Sequence, residues 1–399
     1  MKPVDWSSLF GQGAERIQAS TIRELLKLTQ RPGILSFAGG LPAPELFPKE
    51  EAAEAAAKLL RERGEVALQY GPTEGYTPLR AFVGAWLGVD PEEVLITTGS
   101  QQALDLLGKV FLEEGSPVLL EAPSYLGAIQ AFRAYGPRFL TVPTGEEGPD
   151  LEALREALLR ERPRFLYLIP SFQNPASGLM PLAKRQKLLE LVMEAGVVVV
   201  EDDAYRELYF GERRLPSLFE LARSAGYEGV IYLSSFSKIL APGLRVAFAV
   251  APKEALKKLV QAKQGVDLHT PTLNQMLVLE LLKEGLPARL ERVRQVYREK
   301  AQAMLEALDS AMPQGVRYTR PQGGMFVWME LPEGVSSEEL FQKAIAEGVA
   351  FVPGGPFFAN GGGENTLRLS YATMDRARIQ EGVKRLARAL ESLLPLRAR

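Results

Sequence analysis

The sequence predicts an α/β protein with a mostly parallel central sheet sandwiched by helices, plus a smaller α+β domain. From about residue 90 to 250, short apolar runs alternate with stretches whose apolar residues recur at helical spacing. The runs are continuous in apolar character, which is typical of parallel strands buried on both faces. Beyond about residue 285, a long amphipathic stretch and short strand-like runs replace this pattern, so we expect a second architecture there.

The elements of the larger part follow in strand–helix order. The first strand is EVLITTG (93–99), and the helical pattern SQQALDLLGKVFLEEG (100–115) follows it. The strand SPVLLEAPSY and the helix GAIQAFRAYG repeat the arrangement. Four further apolar runs predict strands, namely RFLYLIPSFQNP (164–175), GVVVVEDDAY (196–205), GVIYLSSFSK (229–238) and LRVAFAVAP (244–252).

The two ends of the chain carry different patterns. The N-terminal segment contains a helix-like stretch, AERIQASTIRELLKLTQ, and then the loop LSFAGGLPAPELFP. The C-terminal part contains a long helix, a shorter helix, the strands VAFVPGG and NTLRLSYA, and a terminal helix from Asp375. We therefore expect an N-terminal arm and helix (1–45) associated with the small domain, a large domain (46–285) and a small C-terminal domain (286–399).

Composition limits the available chemistry and partners. The chain of 399 residues has no cysteine and one histidine, which excludes disulfides, thiol nucleophiles and thiolate metal sites. A Ser-His-Asp triad would have to use His269, which we expect to be structural. The net charge of −2 gives no basic field for nucleic acid. No apolar run reaches the ~18 residues of a membrane span, so we expect a cytoplasmic protein without a membrane or nucleic-acid partner and without a metal.

Polar side chains follow the ends of the predicted strands, where open α/β sheets bind their ligands. Lys238 is a primary amine that can form a Schiff base with a carbonyl group. Asp202 ends a wholly apolar strand, and Asn174 and Tyr205 lie at neighbouring strand ends. Ser100 begins a helix, whose first backbone N–H groups could hold an anion.

Three more residues extend this anion site. Ser235 and Ser237 precede the lysine in the stretch SSFSKILAPGLR, and Arg245 ends it with a charged fork for an anion. An amine, a carboxylate, donors for a phenolic oxygen and a phosphate cup together describe a pyridoxal 5'-phosphate site. The carboxylate would keep the pyridine nitrogen protonated, which makes the ring an electron sink.

The motifs resemble those of the fold type I, class I aminotransferases, which depend on pyridoxal phosphate. SSFSKILAPGLR is similar to the family's lysine motif, NPASG to its asparagine-proline turn, and DDAYREL to its D-x-x-Y segment. QYGPTEGYTPLR, GSQQALDLL and ENTLRLSYA resemble further family patterns in the expected order. The resemblance covers almost the whole chain, and it implies the fold type I architecture of pyridoxal-phosphate-dependent transferases.

The resemblance also implies roles for the cofactor-site residues. Lys238 would bind the cofactor and move the substrate proton, and Asp202 would pair with the ring nitrogen. Tyr205 and Asn174 would hydrogen-bond the phenolic oxygen, although Tyr205 could also be a half-buried core tyrosine. Tyr125 follows the strand VLLEAPS and resembles the aromatic residue that stacks on the cofactor ring, although it could be a core residue.

Ser100 and Gln101 would bind the phosphate, although a serine is also a common helix start. Tyr70 would reach the phosphate site of a neighbouring subunit, so the resemblance implies a homodimer with shared active sites; the alternative is a loop tyrosine packed in its own chain. Arg368 would grip the substrate α-carboxylate, although it could simply face water. Gly40 would let the backbone approach the substrate closely.

Within the family, the N-terminal stretch and the segment PGGPFFANGGGENTLRLSYA resemble the group of α-aminoadipate aminotransferases and related broad-range enzymes. Ser20 and Arg23 lie three residues apart, so they share a helix face, and Arg23 could clasp a distal carboxylate of glutamate or aminoadipate. A solvated charge is an equal alternative for Arg23. The resemblance implies transamination between 2-aminoadipate or glutamate and 2-oxoglutarate or 2-oxoadipate in lysine biosynthesis. A broad aromatic or leucine aminotransferase, another pyridoxal phosphate reaction or a ligand-sensing regulator are the alternatives.

Overall fold

Helices and strands alternate along the chain. The computed structural model describes residues 2–394, apart from the side chain of Thr21. The strands are β1 (Leu35–Ser36), β2 (Val94–Thr97), β3 (Pro117–Ala122), β4 (Arg138–Gly145), β5 (Gly148–Pro149), β6 (Leu166–Leu168), β7 (Val199–Asp202), β8 (Val230–Ser235), β9 (Ala247–Val250), β10 (Arg317–Tyr318), β11 (Phe326–Glu330), β12 (Val349–Ala350), β13 (Val352–Pro353) and β14 (Thr366–Ser370). The helices are α1 (Gln12–Arg16), α2 (Thr21–Thr29), α3 (Lys49–Ala67), α4 (Thr77–Leu87), α5 (Gly99–Phe111), α6 (Leu126–Arg133), α7 (Leu151–Arg160), α8 (Leu182–Ala195), α9 (Leu218–Ser224), α10 (Lys253–Asp267), α11 (Thr272–Lys283), α12 (Leu286–Ala311), α13 (Ser337–Ala346) and α14 (Arg376–Glu391).

The central sheet has eight strands in the described chain, in the order β2-β9-β8-β7-β6-β3-β4-β5. The neighbours from β4 to β8 are parallel, which confirms the predicted mostly parallel sheet. The run LRVAFAVAP forms β9, which lies antiparallel to both β2 and β8. A short turn at Pro242–Leu244 returns the chain directly into β9, and a parallel pairing would have needed a long crossover.

Helices cover both faces of this sheet. Leu120 and Val200 lie in one buried cluster with Leu104 and Leu107 of α5. Their neighbours along the strands, such as Leu119, lie in a second cluster with α8 and α9 residues. Because successive strand residues point to opposite faces and helices cover both faces, the inner strands carry apolar residues at successive positions, and this causes the continuous runs of the sequence.

A second sheet lies in the C-terminal part. It has the strand order β10-β11-β14-β13 with antiparallel neighbours, and α14 packs against both α12 and α13. The N-terminal strand β1 pairs with β12 in parallel, Leu35 opposite Val349. Residues 35–36 of the N-terminal segment are therefore paired with the part of the chain that follows residue 286. The domain boundaries at 46 and 286 stay a prediction.

The long helix α12 and the N-terminal helices α1 and α2 lie outside the strand–helix alternation of the central sheet. The 26-residue helix α12 is amphipathic and buries side chains such as Val293, Tyr297 and Met304. The predicted N-terminal helix is interrupted, because α1 ends at Arg16 and α2 begins afresh at Thr21. The side chain of Ser20 accepts a hydrogen bond from the Arg23 backbone N–H and so caps α2. Within residues 2–394, no helix is both long and apolar enough to cross a membrane.

Candidate active site

A cavity of about 540 Å³ lies at the carboxyl ends of the parallel strands. Residues that follow β2, β6, β7 and β8 line it together with α2, the loop at Gly40, and the start of α6. All but one of the predicted site residues line this cavity, and the exception is Tyr70. The lining residues from the prediction are Ser20, Arg23, Gly40, Ser100, Gln101, Tyr125, Asn174, Asp202, Tyr205, Ser235, Ser237, Lys238, Arg245 and Arg368.

Lys238 lies in the turn that follows β8, with its amine in the cavity. Its Nζ donates a hydrogen bond to the Gly40 carbonyl at 3.2 Å and lies 5.8 Å from the centre of the Tyr205 ring. Burial, followed by the positive charges of Arg368 and Arg245, lowers the pKa of Lys238 to about 8, although Asp202 opposes this shift. A neutral amine is therefore accessible close to neutral pH, as nucleophilic and proton-transfer chemistry require.

Asp202 closes β7 and points one carboxylate oxygen at a tyrosine. Its Oδ2 accepts a hydrogen bond of 2.5 Å from the Tyr167 hydroxyl. Its Oδ1 is buried and has no hydrogen-bond partner among the described residues. Burial raises the pKa of Asp202 to about 6; the Tyr167 hydrogen bond opposes this rise, and the neighbouring Asp203 adds to it. An unpaired buried carboxylate oxygen calls for a cationic or N–H donor, and a protonated pyridine nitrogen is such a donor.

Asn174 links the tyrosine and the arginine of the site. Its Nδ2 donates to the Tyr205 hydroxyl at 3.2 Å, and its Oδ1 accepts from Nη1 of Arg368 at 2.8 Å. Nη2 of Arg368 donates to the Ala38 carbonyl at 2.9 Å. These bonds fix the guanidinium plane from two sides, so Arg368 is held ready for an anionic ligand.

The surroundings of Arg368 are apolar. Its guanidinium carbon lies 4.3 Å from the centre of the Phe326 ring and 5.3 Å from that of Phe357. Burial lowers the pKa of Arg368 to about 10, and its Nε has no partner in the described chain. A carboxylate would supply the missing acceptor and neutralise a charge that is costly to bury alone.

An anion cup lies where α5 begins. Ser235 Oγ donates to Ser237 Oγ at 2.8 Å and accepts from the Ser237 backbone N–H at 3.0 Å. Ser100 Oγ is buried without a partner among the described residues. The guanidinium of Arg245 lies so close to Gly99 that a Cβ there would collide with its Nη2. Serine hydroxyls, an arginine and a helix N-terminus together favour a phosphate group.

An aromatic residue, Tyr125, lines the cavity just before α6 begins. Tyr125 is the residue that precedes this helix, and burial together with Asp202 raises its pKa. Gln101 Nε2 donates to the Gly127 carbonyl at 2.8 Å. In this chain Gln101 therefore ties the first turn of α5 to α6, which holds Tyr125 in place beside the cup.

The N-terminal residues lie at the mouth of the cavity. Gly40 has room for a ligand, because a Cβ there would meet only Phe326 and Arg368 at 3.8 and 4.0 Å. Ser20 and Arg23 both line the mouth. The Ser20 side chain already caps α2, so Arg23 is the exposed charged group on this side.

Tyr70 is outside the cavity of its own chain. Its side chain is 78% exposed, and its ring meets the His269 ring edge-on at a centroid distance of 6.0 Å. The ring of His269 contacts the Thr270 carbonyl at 2.8 Å through Nδ1. Tyr70 is accordingly the one predicted site residue that does not line the cavity of its own chain.

Some residues of the site were not found from the sequence. Tyr167 is the partner of Asp202, and its hydroxyl in the apolar run FLYLIP was the available signal. Gln130 and Ile22 line the cavity, but both look like ordinary positions of amphipathic helices. Phe326 and Phe357 contact Arg368 from distant segments, and no local pattern points to that contact.

The fold and the cavity together are those of enzymes that use pyridoxal phosphate to move amino groups. The chain belongs to the family of class I and II aminotransferases, whose family model matches residues 39–386. A 2-aminoadipate transaminase from Thermus thermophilus is 81% identical over 99% of this chain and all of its own length. An aromatic-amino-acid aminotransferase from Thermococcus litoralis is 42% identical over 97% of this chain and 95% of its own.

A solved structure gives the cofactor chemistry of a close relative. It is the crystal structure of the α-aminoadipate aminotransferase from Thermus thermophilus, complexed with N-(5'-phosphopyridoxyl)-L-leucine. That structure is 79% identical in sequence to this chain and superposes on it with a TM-score of 0.95. The match covers 98% of this chain and all of the Thermus chain. The chain is accordingly an aminotransferase with pyridoxal phosphate as its cofactor. The unpaired Asp202 Oδ1 and Ser100 Oγ fit the ring and phosphate ends of this group.

Proposed function

We propose that this enzyme exchanges the amino group of 2-aminoadipate or glutamate with 2-oxoglutarate or 2-oxoadipate, in lysine biosynthesis. The observation that carries the proposal is that the cavity holds, besides Arg245 of the anion cup, two arginines at different depths. Arg368 is buried beside Asn174, and Arg23 lies exposed at the mouth. Amino acids with a second carboxylate offer one anionic group to each arginine. The 81% identical transaminase of Thermus thermophilus supports the same substrate class.

Lys238 is proposed as the residue that binds the cofactor and then moves the substrate proton. When bound, pyridoxal phosphate supplies a reactive carbonyl carbon and an electron-withdrawing ring. The lowered pKa of Lys238 favours the neutral amine that accepts the Cα proton. The neighbouring Gly40 carbonyl, 3.2 Å away, holds the amine on the substrate side of the cavity.

Asp202, Tyr205 and Asn174 are proposed to tune the cofactor ring. Asp202 Oδ1 has no protein partner in the described chain, and in our proposal it accepts the ring N–H and keeps that proton in place. Tyr205 and Asn174, already joined at 3.2 Å, offer hydrogen bonds to the phenolic oxygen. Tyr125, which lines the same cavity, would stack on the ring as its aromatic partner.

The cup around α5 is proposed to hold the phosphate. Ser100 and Gln101 contribute the first turn of the helix, and Ser235, Ser237 and Arg245 close the cup from the β8 side. Five groups from two chain segments fix the phosphate at several points. These groups would keep the phosphate in place while Lys238 is free of its covalent bond to the cofactor.

Arg368 is proposed to bind the substrate α-carboxylate, with Gly40 giving room beside it. Arg23 is proposed to bind a distal carboxylate, with Ser20 acting as the cap of its helix. Because Arg23 is exposed, its contribution to affinity is small, of the order of ~1 kcal/mol for a solvated ion pair. Substrates without a distal carboxylate should therefore remain usable.

We further propose that the enzyme is a homodimer whose active sites are shared through Tyr70. The exposure of Tyr70 in the single chain supports this proposal.

A second candidate activity is broad transamination of aromatic amino acids and leucine. The 42% identical aromatic-amino-acid aminotransferase and the leucine adduct of the Thermus enzyme favour it. The cytoplasmic location expected from the sequence stays a prediction.

Single-turnover absorbance spectra test the proposed substrates. The holoenzyme is mixed with 2-aminoadipate, glutamate, leucine, phenylalanine or alanine, and conversion of the bound cofactor to pyridoxamine phosphate is followed. We expect 2-aminoadipate and glutamate to react fastest. If they react no faster than alanine, the substrate assignment is wrong. A Lys238→Ala variant that still transaminates at the wild-type rate would refute the role of the lysine.

A further inference from the structure

A fully buried lysine lies behind the N-terminus of α5, outside the cavity. Lys263, on α10, has no exposed surface. Its Nζ donates to Asp267 Oδ1 at 2.7 Å and to Gln102 Oε1 at 2.8 Å. Lysine is almost never fully buried unless it is paired, so this site requires its partners.

Four side chains form a hydrogen-bonded cluster that we call the α5 brace, namely Thr98, Gln102, Lys263 and Asp267. The Thr98 hydroxyl also contacts Thr270 Oγ1 at 2.9 Å. Asp267 Oδ2 accepts hydrogen bonds of 2.7 Å from both Thr98 Oγ1 and Gln102 Nε2. Gln102 Oε1 also accepts the Thr98 backbone N–H at 2.8 Å. Every polar group of the brace is therefore used by another member.

The charges of the brace are compatible with an ion pair. Burial opposes ionisation of Asp267, but hydrogen bonds from Lys263, Thr98 and Gln102 outweigh it and lower the pKa of Asp267. Burial lowers the pKa of Lys263, and Asp267 acts in the opposite direction. The short contact and the several donors around Asp267 favour the charged pair.

The brace replaces the usual cap of α5. Thr98 is the residue that precedes the helix, yet within the described chain no side chain caps the helix there. The Thr98 hydroxyl bonds to Asp267 instead of to the first-turn N–H groups. Those N–H groups remain available to an anion, while the turn is held from behind. The unpaired Ser100 hydroxyl, two residues later, faces the same cavity.

We propose that Lys263 is a positioning residue for the cofactor phosphate, which it does not touch. Through Gln102 and Asp267 it holds the first turn of α5 in the orientation that binds the phosphate. This inference rests on the proposed phosphate cup. Without the ammonium group, the Gln102 amide and the Asp267 carboxylate lose a common donor, and the turn loses its external support.

The test compares pyridoxal phosphate with pyridoxal, which lacks the phosphate group. The full-length enzyme is stripped of cofactor and titrated with each compound, and binding is followed by protein fluorescence. For Lys263→Met we expect affinity for pyridoxal phosphate to fall about tenfold, a change of ~1.4 kcal/mol. Affinity for pyridoxal should stay at the wild-type value, because the phosphate is the group that the brace serves.

Two further variants keep the test decisive. Asp267→Asn removes the negative charge of the brace with little change of volume, and it should cause the same selective loss of affinity for pyridoxal phosphate. This variant carries the test if Lys263→Met folds poorly. Lys258→Met, on the exposed face of α10, is the matched control and should bind both compounds normally. Unchanged affinity for pyridoxal phosphate in both brace variants, or an equal loss for both compounds, overturns the inference. If the wild type itself does not prefer pyridoxal phosphate, the proposed phosphate cup fails instead.

Discussion

The lowered pKa of Lys238 makes a quantitative prediction about cofactor binding. Covalent attachment to the cofactor carbonyl needs the neutral amine. In the cofactor-free enzyme, burial and the charges of Arg368 and Arg245 lower the pKa of Lys238 to about 8. The neutral fraction grows as the pH rises through the pKa, so the attachment rate should rise with pH and level off above about 8.

The expected gain in reactive amine follows from the pKa of Lys238 and the pKa of an ordinary lysine. At pH 7.5, a lysine of pKa about 8 is ~24% neutral, whereas an ordinary lysine of pKa about 10.4 is ~0.1% neutral. The site therefore increases the reactive fraction by about two orders of magnitude at this pH. Because 1.36 kcal/mol corresponds to one pKa unit, the environment disfavours the ammonium by roughly 3 kcal/mol.

Stopped-flow absorbance measures the rate of attachment to cofactor-free enzyme between pH 6 and 10. Two charge variants give shifts of opposite sign. Arg368→Gln removes a positive charge and should move the midpoint to higher pH, whereas Asp202→Asn removes a negative charge and should move it lower. A wild-type midpoint near 10.4 would refute the reasoning, and so would a shift of both variants in the same direction. Lys238→Ala serves as the control that cannot form the bond.

Three further predictions concern substrate choice, ring tuning and the phosphate cup. Arg23→Gln should lower kcat/KM for 2-aminoadipate about fivefold, the loss of a ~1 kcal/mol contact, and leave kcat/KM for leucine unchanged. Tyr167→Phe removes the 2.5 Å hydrogen bond to Asp202 and so raises the pKa of that carboxyl; we expect kcat to fall about tenfold with little change in KM, a purely catalytic loss. Gly99→Ala places a Cβ against Arg245 in a backbone with φ of +75°, and cofactor titration should show affinity at least about tenfold weaker, since steric strain adds ~1–3 kcal/mol.

Each of these variants has a matched control in the chain. Arg31→Gln changes an exposed arginine that lies outside the cavity and should leave kcat/KM for both substrates unchanged. Tyr227→Phe removes a hydrogen bond to the Val197 carbonyl, far from the cofactor, and should leave kcat unchanged. Gly88→Ala has a φ of +69° but open space where its Cβ would lie, so thermal unfolding should show a stability loss of about 1–2 kcal/mol with normal cofactor affinity. Equal effects in a variant and its control would contradict the corresponding prediction.

The strand–helix order was predictable because it depends on local patterns. Continuous apolar runs marked six of the eight strands of the central sheet in the described chain, and helical spacing marked α5 and α12. The strands β4 and β5 were missed, since β4 is mostly only partly buried or exposed and shows no continuous apolar run. The direction of a strand was harder to predict from the sequence, because the apolar run of β9 looks the same as the runs of the parallel strands. The short turn at Pro242–Leu244 decides its antiparallel pairing. The break between α1 and α2 was also missed, because the helical pattern runs through the Ser20 cap.

By itself, the sequence determined the fold class, the family and which polar side chains meet at the carboxyl edge of the sheet. Parallel strands bring their ends to one edge, so the order of motifs is enough to gather Lys238, Asp202 and Asn174 there. Only the tertiary structure decided which atoms pair. The Tyr167 hydroxyl on Asp202, the phenylalanine rings around Arg368 and the burial of Lys263 join residues from different strands and helices. Such contacts depend on how packed faces interlock, and periodicity along the chain carries no information about that geometry.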